Sequence, residues 1–458
     1  MQVDLLPTEA QMYSWVEEIF GHGIRRPGYP ADRWAEEWAQ HQFRALGLEH
    51  VRAEPVEMLY WEPRSASLIV TRDADPSRRL DLPCFPLPFS SPTAGTEGVL
   101  AAFDDGAPEG VRGAISLCEV ALADLPHAVM ERIATWSDDP DGTFTGAAQR
   151  LPFGGRAQSV MEPSIEAGAL AFVGALSNYP GDSCNYYVPY DGERRSIPGV
   201  WISGTSGAQV RELLASGPAH ARVRVDAVCA SVTCHNIVGE LLGADDETVI
   251  IGSHHDGPWA SAVEDASGIA LVLAQAAYWS RVPRAERPHQ LIFLLNSGHM
   301  AGGAGQANFV RTHRAELDRC VLEVHLEHAA GEFAESDGTL RATGQPEVRW
   351  WFTPRFGRLE DTVRAAIQAE DLRRSYVVPP TIFGEKPTTD GADFHLASVP
   401  LVQFLTAPFY LFDAMDTLDK VHRPSLLPVS RAAIRIIEST AHVTAAAMRA
   451  SADDSPAP

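Results

Sequence analysis

The 458 residues are short of paired cysteines, of uninterrupted apolar residues over Met1–Phe20 and of internal repeats. Its cysteines, Cys84, Cys118, Cys184, Cys229, Cys234 and Cys320, show no Cys-x-x-Cys spacing. That excludes a thiolate zinc site or a disulfide framework and leaves ordinary buried thiols. Asp4, Glu9, Glu17 and Glu18 interrupt the apolar residues of Met1 to Phe20. This segment therefore reads as neither a signal peptide nor a membrane span, and a cytoplasmic protein is expected. Basic residues are short as well: 37 Lys and Arg stand against 60 Asp and Glu, a formal net charge of −23. Such a charge repels phosphate backbones and anionic lipid, so neither nucleic acid nor a membrane is an expected partner, although plain solubility explains an acidic balance equally well. What the chain does have is apolar material: 45% hydrophobic residues give it a globular character with a large core.

The pattern along the chain changes twice. From Pro30 to Leu48, Trp34, Trp38, Phe43 and Leu46 recur at near-helical spacing and the run stops at Gly47, which predicts an amphipathic helix with both tryptophans in the core. Between about Tyr60 and Asp226, prolines and glycines separate short apolar runs at Gly113–Cys118, Ala169–Val173 and Val200–Ser203, as in an inserted domain richer in strand than helix. From Asn236 onward strands and helices alternate: a buried strand at Glu247–Gly252, a helix at Ser267–Tyr278, strands at Gln290–Leu295, Val321–Leu326 and Leu401–Leu405, and a helix at Ser430–Met448. This alternation predicts an α/β fold with a mixed, mostly parallel central sheet and helices on both faces, built from residues 1–59 and 227–450, with 60–226 as the β-rich insert. The polar tail 451–458 is expected to be disordered. Ligands of such sheets sit beyond the carboxyl ends of the strands.

Polar residues gather at those ends. Gly252-Ser-His254-His255-Asp256-Gly257 follows one strand, with Asp256 placed to accept the second ring N–H of His254 and fix its tautomer; loop hydrogen bonding is the plainer use of two adjacent histidines. Glu264-Asp265 enters the next helix, where capping accounts for Asp265 but less well for the longer Glu264. His299 opens a glycine-rich turn that lacks the lysine and spacing of a phosphate loop. Glu323, His325 and Glu327 alternate on one face of the following strand, with His328 on the other. Trp350 and Trp351 read as packing residues.

This order of residues resembles metallopeptidase family 28, the zinc aminopeptidases and glutamate carboxypeptidases. Arg26-Pro-Gly28, Leu46-Gly47-Leu48, Thr389-Asp390 ahead of His395 and Pro400, and Asp416-Thr417-Leu-Asp-Lys420 extend the resemblance over nearly the whole chain. Ile197-Pro-Gly-Val-Trp-Ile-Ser203 with Leu213-Leu214 looks like the protease-associated domain that many members carry. The resemblance implies two zinc ions, a glutamate base and, often, a homodimer. It puts His254 on the first-metal histidine, Asp256 on its supporting carboxylate, Glu264 on the bridging aspartate and Glu327 on the remaining first-metal aspartate. Asp390 and His395, with Asp265, fall on the rim of the substrate pocket.

Two departures change the expected chemistry. The family's Glu-Glu pair falls on Gly298-His299, which removes the base and turns a second-metal ligand into an imidazole. Its last metal histidine falls on Phe412, which cannot ligate. A single divalent ion held by His254, Glu264, Glu327 and His299 is therefore expected, Zn²⁺ first, with Mn²⁺ or Fe²⁺ also suited to a mixed nitrogen and oxygen set. His299, His255 and His325, in that order, are the substitutes for the lost proton shuttle. The expected function is metal-dependent hydrolysis of an amide or other C–N bond in a small molecule or short peptide. The alternatives are a deaminase or cyclase on the same fold, or a non-catalytic scaffold like the transferrin receptor branch.

Overall fold

The computed structural model describes residues 1–336, 339–355, 357–387 and 389–450. The tail 451–458 lies outside the described residues.

The helix at Pro30–Ala45 forms as its spacing requires. A proline in its first turn needs no backbone N–H, Trp38 and Phe43 face the core, and Gly47 takes a left-handed φ of 86° just past the end. Trp34 is only partly buried and stacks on His22. The chain then enters two long strands, β1 (Glu49–Arg72) and β2 (Ala219–Leu241), paired antiparallel along almost their whole length, from Glu49 opposite Glu240 to Arg72 opposite Ala219.

One end of this ribbon borders the central sheet and the other borders a second sheet. The central sheet continues from β2 through β4 (Gln290–Asn296), β3 (Thr248–His254), β5 (Cys320–Leu326) and β8 (Leu401–Thr406) to β6 (Arg349–Phe352) and β7 (Ser375–Val378). The neighbours β4–β3, β3–β5 and β5–β8 run parallel. Every residue of β3 and β5 is buried, as expected for strands covered on both faces, and this includes Glu323 and His325. Helix Gly268–Arg281 covers one face with an almost wholly buried apolar surface.

The second sheet uses the outer half of β2, where burial alternates strictly: Ala219, Ala221, Val223 and Val225 point inward and His220, Arg222, Arg224 and Asp226 outward. Its strands Thr93–Ala102, Ile115–Ala121, Ala171–Ser177 and Gly199–Ile202 close a separate aliphatic core around Ile115, Val173 and Val200. The stretch 127–151 leaves that core. Its strand Trp136–Asp138 pairs with β7, and Met130 and Phe144 pack on Trp350, Phe352 and Tyr376 of the central sheet.

One expected element differs. In place of a single helix over 430–448 there are two, Arg423–Glu438 and Ala445–Ala450. Pro424 is acceptable in the first turn and lets the helix start earlier. The chain breaks near His442, whose φ is 66°, and Thr444 Oγ1 accepts from Ala447 N to open the short second helix.

Candidate metal centre

Four segments that follow central strands meet at one place. His254 ends β3, and its Nδ1 donates to the Asp256 carbonyl at 2.9 Å, which leaves Nε2 as a lone-pair donor. Glu264 stands in the turn Ala262–Ser267 before the long helix, joined to Asp265 by a cis peptide. Asp416 holds that turn by accepting from Val263 N at 2.8 Å and Glu264 N at 2.9 Å. His299 follows β4 and His328 follows β5. His254 Nε2 and His299 Nε2 lie 3.4 and 3.5 Å from Glu264 Oε1, and His328 Nε2 lies 2.5 Å from Glu264 Oε2.

His254 Nε2, both Glu264 oxygens and His328 Nε2 are buried without a well-formed hydrogen bond among the described residues. Convergent, orphaned donors of this kind, two or three imidazoles and a carboxylate, fit a divalent ion such as Zn²⁺. Electrostatics agree. Burial opposes charge on His254, yet Asp265, Asp256 and Glu264 outweigh it and hold its pKa well above the usual value. His328, likewise opposed by burial, is pushed up to about 10 by Glu264 and Glu327. Burial would raise the Glu264 carboxyl, but His328 and His254 bring it below its ordinary range. The pocket attracts positive charge.

Supporting contacts set the geometry. The Asp256 carboxylate accepts from the backbone of His299 at 3.1 Å and of Met300 at 2.8 Å, while its Oδ1 is 3.7 Å from His254 Nδ1. Its carbonyl, not its carboxylate, therefore takes the His254 N–H, and the side chain orients His299 instead. Asp265 does not line the cavity. It accepts from His328 N and Gly268 N and from the Ser253 hydroxyl, and burial pushes it up to about 6. Asp390 binds His299 Nδ1 and faces His325.

Several expected residues stand elsewhere. Glu327 does not share the point where His254, Glu264 and His299 meet. Its Oε1 accepts from Gln403 Nε2 at 3.0 Å and lies 3.2 Å from His325 Nε2, and its Oε2 is 3.8 Å from His328 Nε2. His255 cannot serve as the shuttle, because its ring is fully buried against Asp32 at 3.0 Å and the His235 carbonyl at 2.9 Å. His325 is enclosed by Glu323, Glu327 and Asp390. His395 is half-buried on helix Ala392–Leu396 and is not among the cavity residues.

Sequence reasoning missed His328 as a partner of Glu264. β5 stops at Leu326, so the alternation of faces ends there, and His328 has a left-handed φ of 33° that returns its ring to the site. It also missed the wall supplied by the insert. Phe153 stacks on Phe412 with ring centres 5.0 Å apart, Phe412 on Tyr190 at 4.9 Å, Tyr190 on His299 at 5.3 Å and His299 on His254 at 4.1 Å. The glycine-rich turn after β4 makes room for this wall: Gly302 donates to the Tyr190 carbonyl, and a Cβ at Gly302 would stand 2.3 Å from the Asp191 carbonyl. Gly298 has φ 74°, and a Cβ there would meet Met58 at 2.8 Å, so no carboxylate could stand at that position without displacing Met58.

Beside these rings an inner cavity is lined by Phe153, Tyr190, Trp350, Phe352, Phe383, Leu405, Leu411 and Phe412, with His299, Glu327 and His328 as its titratable groups. Trp350 is thus a wall of the cavity as well as a packing residue. An outer cleft of about 620 Å³ shares Phe153, Tyr190 and His299 and reaches Arg156 and Lys386. Among the described residues no helix is long and apolar enough to cross a membrane.

Residues 236–437 match the family model of peptidase family M28. No curated protein matches the chain by sequence. Similar solved structures include a peptidase M28 precursor from Shewanella amazonensis, with TM-score 0.69 and 18% identity over 98% of this chain and 95% of that one. A zinc aminopeptidase from Bacillus subtilis aligns with TM-score 0.66 and 16% identity over 95% and 96%. An aminopeptidase from Aneurinibacillus sp. strain AM-1 gives 0.65 and 18% over 95% and 94%. The shared fold thus extends over both sheets.

Proposed function

Residues 236–437 are a peptidase family M28 domain in a metallohydrolase of aminopeptidase-like build, and from that premise we propose that the chain cleaves an amide bond beside a bulky apolar group in a short peptide or small molecule. The observation that carries this reading is the convergence of His254, Glu264 and His299, the last of which lines the aromatic cavity. His254, Glu264 and His299 would hold one divalent ion, Zn²⁺ by preference, which would supply Lewis acidity for a carbonyl and for water, towards a water pKa of about 7.

The chain's own residues do the rest. Asp390 fixes the His299 ring through Nδ1 and leaves Nε2 facing Glu264. The aromatic cavity takes the apolar group and excludes water from it. Gly298 provides no base, so proton transfer falls to His328, which lines the cavity and faces Glu264. His299 thus acts as ligand and His328 as shuttle. The division into a catalytic unit of 1–59 with 227–450 and a protease-associated-like insert belongs to the same reading, supported by the separate core around Ile115 and Val173. So does a cytoplasmic setting, supported by six free cysteines.

Hydrolysis of leucyl and phenylalanyl anilides tests the proposal. Turnover is expected to favour these over alanyl and lysyl analogues and to disappear on chelation and in His254→Ala. Activity that survives both treatments overturns it. Metal binding without turnover on any aminoacyl anilide, amide or cyclisable glutaminyl peptide would assign the chain to scaffolding.

A further inference from the structure

A second cluster lies beside the first and uses none of its donors. His325 Nδ1 is 2.9 Å from Glu323 Oε1, so a neutral ring donates that N–H to the carboxylate and presents the Nε2 lone pair on its other side. On that side stand two more lone-pair atoms, Glu327 Oε1 at 3.2 Å and Asp390 Oδ2 at 3.6 Å. All three residues are buried, with exposures of 0%, 1% and 3% for His325, Glu327 and Asp390. Neither His325 Nε2 nor Asp390 Oδ2 has a well-formed hydrogen bond among the described residues.

Atoms that only accept cannot face one another without a positive charge between them. One proton on His325 meets the need in part: directed at Glu327 it leaves Asp390 Oδ2 unpaired, and directed at Asp390 it faces an oxygen 3.6 Å away while Glu327 Oε1 is held by Gln403 Nε2 alone among the described residues. Around these rings stand Glu323, Glu327 and Asp390, with Glu264, Asp265 and Asp256 in the neighbouring cluster, against the imidazoles of His254, His299, His325 and His328. The buried guanidinium of Arg25, beside Asp256 and Asp265, spends its N–H groups on the carbonyls of His255, Ser261 and Glu264.

From this arrangement we infer that His325, Glu327 and Asp390 form a second site for a divalent cation of the Zn²⁺ or Mn²⁺ class, offset from the His254–Glu264–His299 centre. The three donor atoms lie within 4.8 Å of one another, as one ion requires. Glu323 orients His325 as its supporting carboxylate, and Asp390 joins the two centres, one oxygen on His299 Nδ1 and the other towards the second ion. The inference goes beyond the reading above, which needs one ion.

Metal titration of the purified full chain tests it. With Zn²⁺, the wild type is expected to take up about two ions per chain, and His325→Gln and His254→Ala to lose about one each. With Mn²⁺, the paramagnetic resonance signal of the first equivalent should be that of an isolated ion, and the second should broaden it through spin coupling. That readout needs no variant and stands even where His325→Gln does not fold. Uptake of a single ion, lost in His254→Ala and kept in His325→Gln, overturns the second site and leaves the proposed hydrolase intact. Uptake of no ion overturns both.

Discussion

The two sheets that share the β1–β2 ribbon bury opposite kinds of residue. The inserted sheet closes on Leu68, Val70, Ile115, Val173, Val200 and Val223, an aliphatic core of the ordinary kind. The central sheet, at the carboxyl ends of β3 and β5, buries His254, Asp256, Glu264, Asp265, Glu323 and His325 with no exposure at all. Burying charge is unfavourable unless it is paired or bound to a cation, so this end lowers the stability of the fold that holds it. The difference teaches that the polar cluster is confined to one edge of the central sheet, whose remaining core is apolar, while the inserted sheet contributes apolar packing alone. The inserted sheet is a simple core, and the insert reaches the site through loop residues such as Phe153 and Tyr190.

That division can be broken by experiment. The largest expected effect is on the inserted core: Ile115→Ala should destabilise the fold by about 2–5 kcal/mol in chemical denaturation while metal content per folded chain stays unchanged. A parallel loss of metal would show that the two sheets are not energetically separate. Asp256→Asn should act the other way, weakening metal affinity by roughly 10–100-fold because His299 and Met300 lose a charged acceptor, with little change in melting. Phe153→Ala removes the outermost ring of the stack and should raise KM for bulky substrates roughly tenfold with kcat nearly constant. A loss confined to kcat would mean that the stack positions His299 rather than substrate.

The smallest effect probes the seam between the 127–151 stretch and the central sheet. Glu347 there is buried, accepts from Gln149 Nε2 at 3.2 Å and Val348 N at 2.9 Å, and burial pushes its pKa from an ordinary 4.5 up to about 7. A carboxyl raised in the folded state contributes stability below the unfolded pKa and loses it as pH climbs through the folded value. Glu347→Gln keeps the acceptor and removes the titration. Its melting temperature should therefore exceed that of the wild type above about pH 7 and match it near pH 4. Equal slopes at all pH values would place that carboxyl in contact with water.

The sequence made the central sheet legible because continuous apolar runs such as Thr248–Gly252 and Leu291–Leu295 admit few other readings. His254 and Glu264 were legible because they stand where parallel strands end. The placement of His328 against Glu264 was not, since alternation holds only while the strand lasts and β5 stops one residue before Glu327. Nor was the fate of His255, whose neighbour Asp32 is 223 positions away along the chain and 3.0 Å away in space. Phe153 and Tyr190 carried no signal of their own, because an aromatic residue between turns looks the same whether it covers a core or a substrate.

The ring stack also bears on the order of synthesis. It joins side chains numbered 153, 190, 254, 299 and 412, so the aromatic wall is complete only when the chain has emerged from the ribosome through residue 412. A nascent chain shorter than that holds the insert's rings without Phe412, the partner that stacks on both Phe153 and Tyr190.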